Sequence, residues 1–320
     1  AAASRAAAFA APAKALPLAL RPEASDATLA ELLRIERDAR LDALEAQLAA
    51  MGGHEASAEL LAALRGDYTT ELRQPPLAAR SALAKAVDPD TDVRVLVNLF
   101  ESDPALTQAL LRRANSALLA GNGAVMALRE AVQRIGLRGV HSVIVEVMLG
   151  GLTCRAGPRY DPIVQDVWSH MVRTAPIARA LSPCFGTDPE STFTLALLHD
   201  VGKLVVFDRL SALRTARRRD VDFPDGFLES VLRVTHEPVG GLVLLAWGLG
   251  GSAARAVATH HRAVLCDDAE PYSQVLCLAE RQEHLQSRGV PLDVQQLWQD
   301  AQLSGSIEWA RVMLGPPAAA

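Results

Sequence analysis

The chain has 320 residues, half of them hydrophobic and only 4% aromatic, with a formal net charge of -5. Such a length holds one large domain or two modest ones. A mildly acidic chain offers nucleic acid no global attractive field, and the longest uncharged run, Pro238 to Ser252, is too short to span a membrane.

Ala and Leu supply most of the apolar content and few segments alternate with period two, so an all-α fold is expected. Cys154, Cys184, Cys266 and Cys277 make neither a metal-type pair nor a disulfide framework. Reduced thiols fit a cytoplasmic protein. The Ala-rich start carries no charged-then-apolar leader pattern and reads as a trimmed terminus.

Residues 1 to about 27 read as irregular. Thr28 to Ala50 is an amphipathic helix, with Leu29, Leu32, Leu33, Leu41, Leu44 and Leu48 on one side. Met51-Gly52-Gly53 ends it, and Glu55 to Arg65 forms a second. These helices either pack on the main domain or form a homodimer or partner contact. Gln74-Pro75-Pro76 marks the boundary of this extension, residues 1–75. A lobe of short helices follows over 76–151. Asp88-Pro89-Asp90 precedes a helix with Val93, Leu96, Val97 and Phe100, and Asp103-Pro104 caps the next. Asn115-Ser116 reads as a structural turn. Ala124 to Ile135 ends at Gly136, and Leu137 to Leu149 reads as a buried helix closed by Gly150-Gly151.

The second lobe, 152–315, opens with Asp161-Pro162 and a helix from Ile163 to Leu181 that Pro176 can kink. Asp166 and His170 lie four apart on it, hence on one face. Leu195 to Val206 carries His199, Asp200, Gly202 and Lys203 among apolar residues at helical spacing, with Ser191 or Thr192 as cap. Gly202 leaves room for a close backbone or ligand. Pro238 suggests a helix starting near His236, and Gly240-Gly241 permits tight packing. Ser252 caps a helix leading to His260 and His261, and Tyr272 to Ser287 carries Glu280. The cluster Arg214 with Arg217-Arg218-Arg219 reads as a solvated helix end.

A single buried His-Asp pair is ordinarily a satisfied helix end. His54, His141 and His284 fall in the same ordinary class. His170, His199, Asp200, His236, His260 and His261 instead recur near the apolar side or start of successive helices, with Asp166 and Glu280 as bridging or closing carboxylates. Nitrogen and oxygen ligands of this kind suit iron, manganese, zinc or magnesium, as one ion or two.

These residues resemble those of the HD-related output domain (HDOD) family, relatives of the HD metal-dependent phosphohydrolases. The resemblance rests on Asp103-Pro104-Ala105-Leu106-Thr107, Ala114-Asn115-Ser116-Ala117 and Ala131-Val132-Gln133-Arg134-Ile135-Gly136. It continues through Trp168-Ser169-His170, Leu197 to Lys203, His236-Glu237-Pro238-Val239-Gly240 and His260-His261. It implies an all-α, HD-like helical core with a preceding helical lobe (76–315 together), a bacterial source and a signalling role. Most members of the family act as regulatory modules without demonstrated hydrolysis.

The chain is also similar to the HD-GYP phosphodiesterases of cyclic di-GMP. It departs from them at Arg262-Ala263-Val264-Leu265, which replaces their Gly-Tyr-Pro loop, and at Glu280, where HD enzymes carry Asp. Three readings follow. The first is a signalling module acting through protein partners, its metal pocket retained. The alternative is a metal-dependent phosphohydrolase with a nucleotide or cyclic-dinucleotide substrate, in which Lys203 stands near the developing charge. A third is a sensor that binds a nucleotide without turnover.

Overall fold

A computed structural model describes residues 24–66, 92–101, 104–115, 125–150, 156–261 and 270–290. Among these residues all regular structure is helical, as expected from the Ala- and Leu-rich composition. The chain divides into two compact units, one formed by 1–71 with 154–320 and the other by 72–153. The N-terminal extension therefore shares a unit with the histidine-bearing helices.

In the smaller unit, α3 (Val93–Glu101) and α4 (Pro104–Ala114) both pack on α5 (Leu128–Gly150). Leu96, Phe100, Leu106, Leu110, Val132, Val140 and Ile144 form its core. Gly136 interrupts α5 with a left-handed backbone, φ 66°, at the break expected from the sequence. Asn115 has the structural role foreseen for it. Its side chain donates to the Leu111 and Val125 carbonyls at 2.9 and 2.8 Å, and accepts from the Val125 amide at 2.7 Å.

In the larger unit, α1 (Asp26–Ala50) starts earlier than its apolar pattern suggests, because the Ser25 hydroxyl accepts from the Thr28 amide. Helix α2 (Glu55–Leu64) follows, with the His54 ring capping its start. Next come α6 (Asp161–Leu181), α7 (Pro189–Leu198), α8 (Val201–Arg217), α9 (Phe227–Ala246), α10 (Gly250–Ala258) and α11 (Pro271–Ser287). Helix α9 is the axis of this unit: α1, α8 and α10 all pack on it. Helix α6 packs on α7 and on α11.

Gly240 and Gly241 make the close approaches to α9 possible. A Cβ at 240 would lie 2.8 Å from Val257 Cγ1 of α10, and one at 241 would lie 2.8 Å from Leu33 Cδ1 of α1. Leu29, Leu33, Leu41, Leu44 and Leu48 of α1 are buried in this way. Two of the four arginines of the basic cluster are paired within the unit: Arg217 meets Glu59 and Glu55 of α2, and Arg214 meets Asp220.

Four local expectations are corrected. Ser252 does not cap α10, which already starts at Gly250 and leaves Ser252 inside the helix. Asp188, not Ser191 or Thr192, caps α7, since Pro189 takes the first helical position and Asp188 accepts from the Ser191 amide at 2.8 Å. The apolar run around the His-Asp pair is two helices; α7 stops at Leu198 and α8 starts at Val201, with Asp200 at the joint (φ -102°, ψ 12°). His236 lies well inside α9, which runs through Pro238 instead of starting beside it. The expected boundary at 74–76 and the segments 262–269 and 291–320 lie outside the described residues. No described helix is long and apolar enough to cross a membrane.

A candidate metal centre

The larger unit gathers seven of the eight expected ligands at one place. His170 comes from α6, His199 and Asp200 from the α7–α8 joint, and His236 from the middle of α9. His260 and His261 stand just beyond α10, and Glu280 comes from α11. Breaking the helix at Leu198 lets consecutive residues His199 and Asp200 both face inward, which a continuous helix would set about 100° apart. His199, Asp200 and His260 are fully buried, and His236 and Glu280 nearly so. His261 is the open edge, with its side chain 40% exposed.

Asp166 does not join them; it is exposed. A four-residue step turns a helix by about 40° beyond a full circle. His170 already sits at the margin of α6's buried arc, set by Val164, Met171, Thr174, Ala175 and Ala178. One turn back, that drift carries Asp166 into solvent.

The main chain fixes which nitrogen faces the centre. His199 Nδ1 lies 2.7 Å from the Ala196 carbonyl, His236 Nδ1 2.8 Å from that of Leu232, and His260 Nδ1 2.6 Å from that of Val257. A carbonyl only accepts, so each Nδ1 must carry the proton and donate it. The Nε2 atoms of these neutral rings are then bare lone pairs, all turned inward.

The ring nitrogens crowd one another at the centre, where a contact between two of them is a hydrogen bond only if one carries a proton. His170 Nε2 and His199 Nε2 are 3.2 Å apart, and His236 Nε2 and His261 Nε2 are 2.9 Å apart. His260 Nε2 and Asp200 Oδ1 are buried without any hydrogen-bond partner. Acceptors converging this way are costly unless a cation sits among them. The residues therefore fit a divalent metal.

Two triads share the pocket. His236, His260 and His261 each offer an atom within 4.8 Å of the others, as do His170, His199 and Glu280; His199, Asp200 and His260 make a group that overlaps both. Asp200 Oδ2 lies 3.5 Å from His199 Nε2 and 3.9 Å from His170 Nε2, while Oδ1 lies 3.8 Å from His236 Nε2. Glu280 similarly places Oε1 3.9 Å from His170 Nε2 and Oε2 3.3 Å from His261 Nδ1. Two carboxylates thus span the two triads.

Burial dominates the electrostatics. It pushes His199 down to about 4 and His236 down to about 3, outweighing the nearby Asp200 charge. His260 lies well below its ordinary value for the same reason, with the neighbouring imidazoles adding to it. Glu280 is pushed up to about 8, first by burial and then by Asp200. Burial opposes ionisation of Asp200 too, but His199 and Lys203 hold it well below the usual carboxylate range. The Lys203 ammonium lies 2.6 Å from Asp200 Oδ2 and is 21% exposed.

The sequence pattern misses three residues around the ligands. Glu283 takes His170 Nδ1, His284 stacks on the His170 ring at 4.8 Å, and Glu237 accepts from the His261 amide at 3.3 Å. Glu283 and His284 were legible as residues three and four beyond Glu280, on the same face of α11.

Among curated proteins, an uncharacterized protein of Treponema pallidum (strain Nichols) is 25% identical over 207 residues, 63% of this chain and 40% of that protein. Ribonuclease Y of Opitutus terrae is 33% identical over 105 residues, 33% of this chain and 18% of the enzyme. The chain thus spans less than half the length of these curated relatives.

Among solved structures, an HDOD domain protein of unknown function from Geobacter sulfurreducens is 20% identical with a TM-score of 0.57, over 81% of this chain and 91% of that one. A candidate phosphohydrolase from Shewanella amazonensis SB2B is 19% identical with a TM-score of 0.56, over 80% and 93%. At these identities the likeness is one of fold. The HDOD domain model itself matches residues 72–263, taking in the smaller unit and every expected ligand except Glu280. The chain belongs to the HDOD domain family.

Proposed function

We propose that the chain is an HDOD signalling module whose larger unit holds one or two divalent metal ions and whose output is made through protein contacts. The observation that carries this reading is a convergent but nearly sealed set of candidate ligands. Two carboxylates and five imidazoles converge, yet only His261 and Lys203 offer an exposed edge among the described site residues. A site closed in this way ties α6, α9, α11 and the two interhelical turns together. Metal that binds only the folded arrangement stabilises it.

His170, His199, Asp200 and Glu280 would hold one ion, and His236, His260 and His261 with the same two carboxylates a second. When bound, such ions supply Lewis acidity and a water of lowered pKa. The chain's own contribution is to keep His199, His236 and His260 neutral with their lone pairs aimed inward, and to keep Asp200 ionised.

A second reading, a phosphohydrolase or phosphodiesterase acting on a nucleotide or cyclic dinucleotide, is favoured by one feature. Lys203 and His261 place a cation and a ring nitrogen at the exposed edge, where a phosphate group could meet them. A nucleotide bound there without turnover would make the chain a sensor.

The test is metal content of protein purified without chelator, wild type against His199→Ala with Asp200→Ala. One or two equivalents of iron, manganese or zinc, lost in the double variant, is the expected result. No metal bound, and none taken up when several are supplied, overturns it. Turnover of phosphodiester or nucleotide substrates that disappears in the same variant would move the assignment to the hydrolase.

A further inference from the structure

His170 is held differently from the other buried histidines. His199, His236 and His260 rest their Nδ1–H groups on neutral main-chain carbonyls. His170 instead places Nδ1 2.6 Å from Glu283 Oε2 of α11, while its Nε2 faces His199 Nε2 at 3.2 Å. Glu283 is itself buried, and its other oxygen accepts from Arg173 Nε at 2.6 Å. Arg173 stands one turn beyond His170 on α6 and is about half exposed.

We propose that Glu283 is a positioning residue for the metal centre. With Arg173 holding its second oxygen, it fixes His170 as the Nδ1–H tautomer and aims Nε2 at the ion. This rests on the metal-binding reading above.

The chemistry is that of a carboxylate behind a ligating imidazole. An ionised carboxylate only accepts, so it selects the tautomer with the proton on Nδ1 and leaves the lone pair on Nε2. Its charge also makes the ring a stronger donor than a carbonyl partner does. Glu283, His170 and His284 are close enough together to hold a cation of their own. Both Glu283 oxygens, however, are already committed, one to His170 and one to the Arg173 guanidinium. That arrangement serves His170 and repels a further cation. Helix α11 thus brings a ligand, Glu280, and an orienting group, Glu283, on adjacent positions of one face, both beyond the family match that ends at residue 263.

The experiment compares wild type, Glu283→Ala, Glu283→Gln and Arg173→Ala by two readouts. The first is the His170 tautomer in chelator-stripped protein, from long-range nitrogen–proton NMR of the ring. The second is the dissociation constant for Mn(II) and Zn(II). Wild type should show the Nδ1–H form. Glu283→Ala should lose that preference and weaken metal binding about 10- to 100-fold. In Glu283→Gln the carboxamide can turn its NH2 toward Nδ1, so the ring should shift toward Nε2–H with a similar loss. Arg173→Ala keeps the carboxylate and should lose less. If Glu283→Ala does not fold, the Gln and Arg173 variants decide.

Metal affinity within twofold of wild type and an unchanged tautomer in Glu283→Gln would overturn the proposal. Wild type that binds no metal overturns the metal-binding reading instead, and the stripped-protein tautomer still judges the role of Glu283 separately.

Discussion

Arg40 supplies the hydrogen bond that Pro238 cannot. Pro238 lies inside α9 without an N–H, so the Val234 carbonyl four residues earlier lacks its helical donor. Arg40 Nη1 of α1 donates to that carbonyl, and the same nitrogen lies 3.4 Å from Glu237 Oε2. Its other terminal nitrogen donates to Glu36. The N-terminal extension therefore completes the helix that bears His236, one residue before Glu237.

Replacing Arg40 with Leu keeps much of the apolar stem but removes the guanidinium from between two buried carboxylates. Breaking a buried pair of this kind costs about 3–5 kcal/mol. At about 2–4 °C per kcal/mol for a unit of this size, the larger unit should melt roughly 6–20 °C lower. Hydrogen exchange should also quicken along α1 and around 234–237. A melting point within a degree of wild type would show that α1 rests on α9 through its leucines alone.

Gly202→Ala tests a backbone contact at the first turn of α8. A Cβ there would lie 2.1 Å from the His236 carbonyl oxygen, an atom that cannot swing aside. The two helices would have to part, moving Lys203 away from His236. A loss at or above the usual overpacking range of about 1–3 kcal/mol is expected in urea unfolding. Metal uptake should weaken with it. Wild-type stability in this variant would mean that the α8–α9 approach is not fixed.

This glycine shows what the sequence discloses and what it hides. Its value as a place of close approach was legible because the residue has no side chain, but the partner, the His236 backbone, was not. The ligand set was legible as residue types recurring on helices, and the structure brings all but Asp166 together. The break at His199-Asp200 was not, because Phe193, Ala196, Leu197, Val201 and Leu204 keep helical spacing across it. Nor was the course of α9 through Pro238. Proline ordinarily ends or kinks a helix, and the donor that rescues this one lies nearly 200 positions away, in Arg40.

In protein stripped of metal by chelation, stability should fall on both sides of a middle pH. Unfolded imidazoles take up protons from about 6.5 downward. Burial, opposed by Asp200, keeps folded His199 neutral to about 4 and His236 to about 3. Across that window the unfolded chain binds more protons, so acid favours unfolding. Glu280 works in the other direction. Raised from 4.5 to about 8, mainly by burial, it keeps its proton in the folded state while the unfolded residue has lost it. Raising the pH through that range therefore costs stability. Urea midpoints from pH 4 to 9 should show both arms in wild type, and Glu280→Gln should lose only the alkaline one. An alkaline arm of full size in that variant would assign it to another group.

Asp166 and Glu280 give opposite predictions for metal uptake, although both carboxylates looked equally suitable in the sequence. Asp166 is exposed on α6, turned away from the centre by the drift of the helix. Glu280 is buried on α11, with one oxygen 3.9 Å from His170 Nε2 and the other 3.3 Å from His261 Nδ1. Asp166→Ala should leave metal affinity within about twofold, as surface substitutions of small energetic effect do. Glu280→Gln keeps the shape but removes the charge that spans both triads. Loss of an outer partner alone costs 10- to 100-fold in such sites, so removing this charge should cost at least about tenfold. Titration of both stripped variants with Mn(II) and Zn(II) measures the difference. Equal losses would mean that α6 turns on metal binding to bring Asp166 inward, and equal retention would place the ion on the imidazoles and Asp200 without α11.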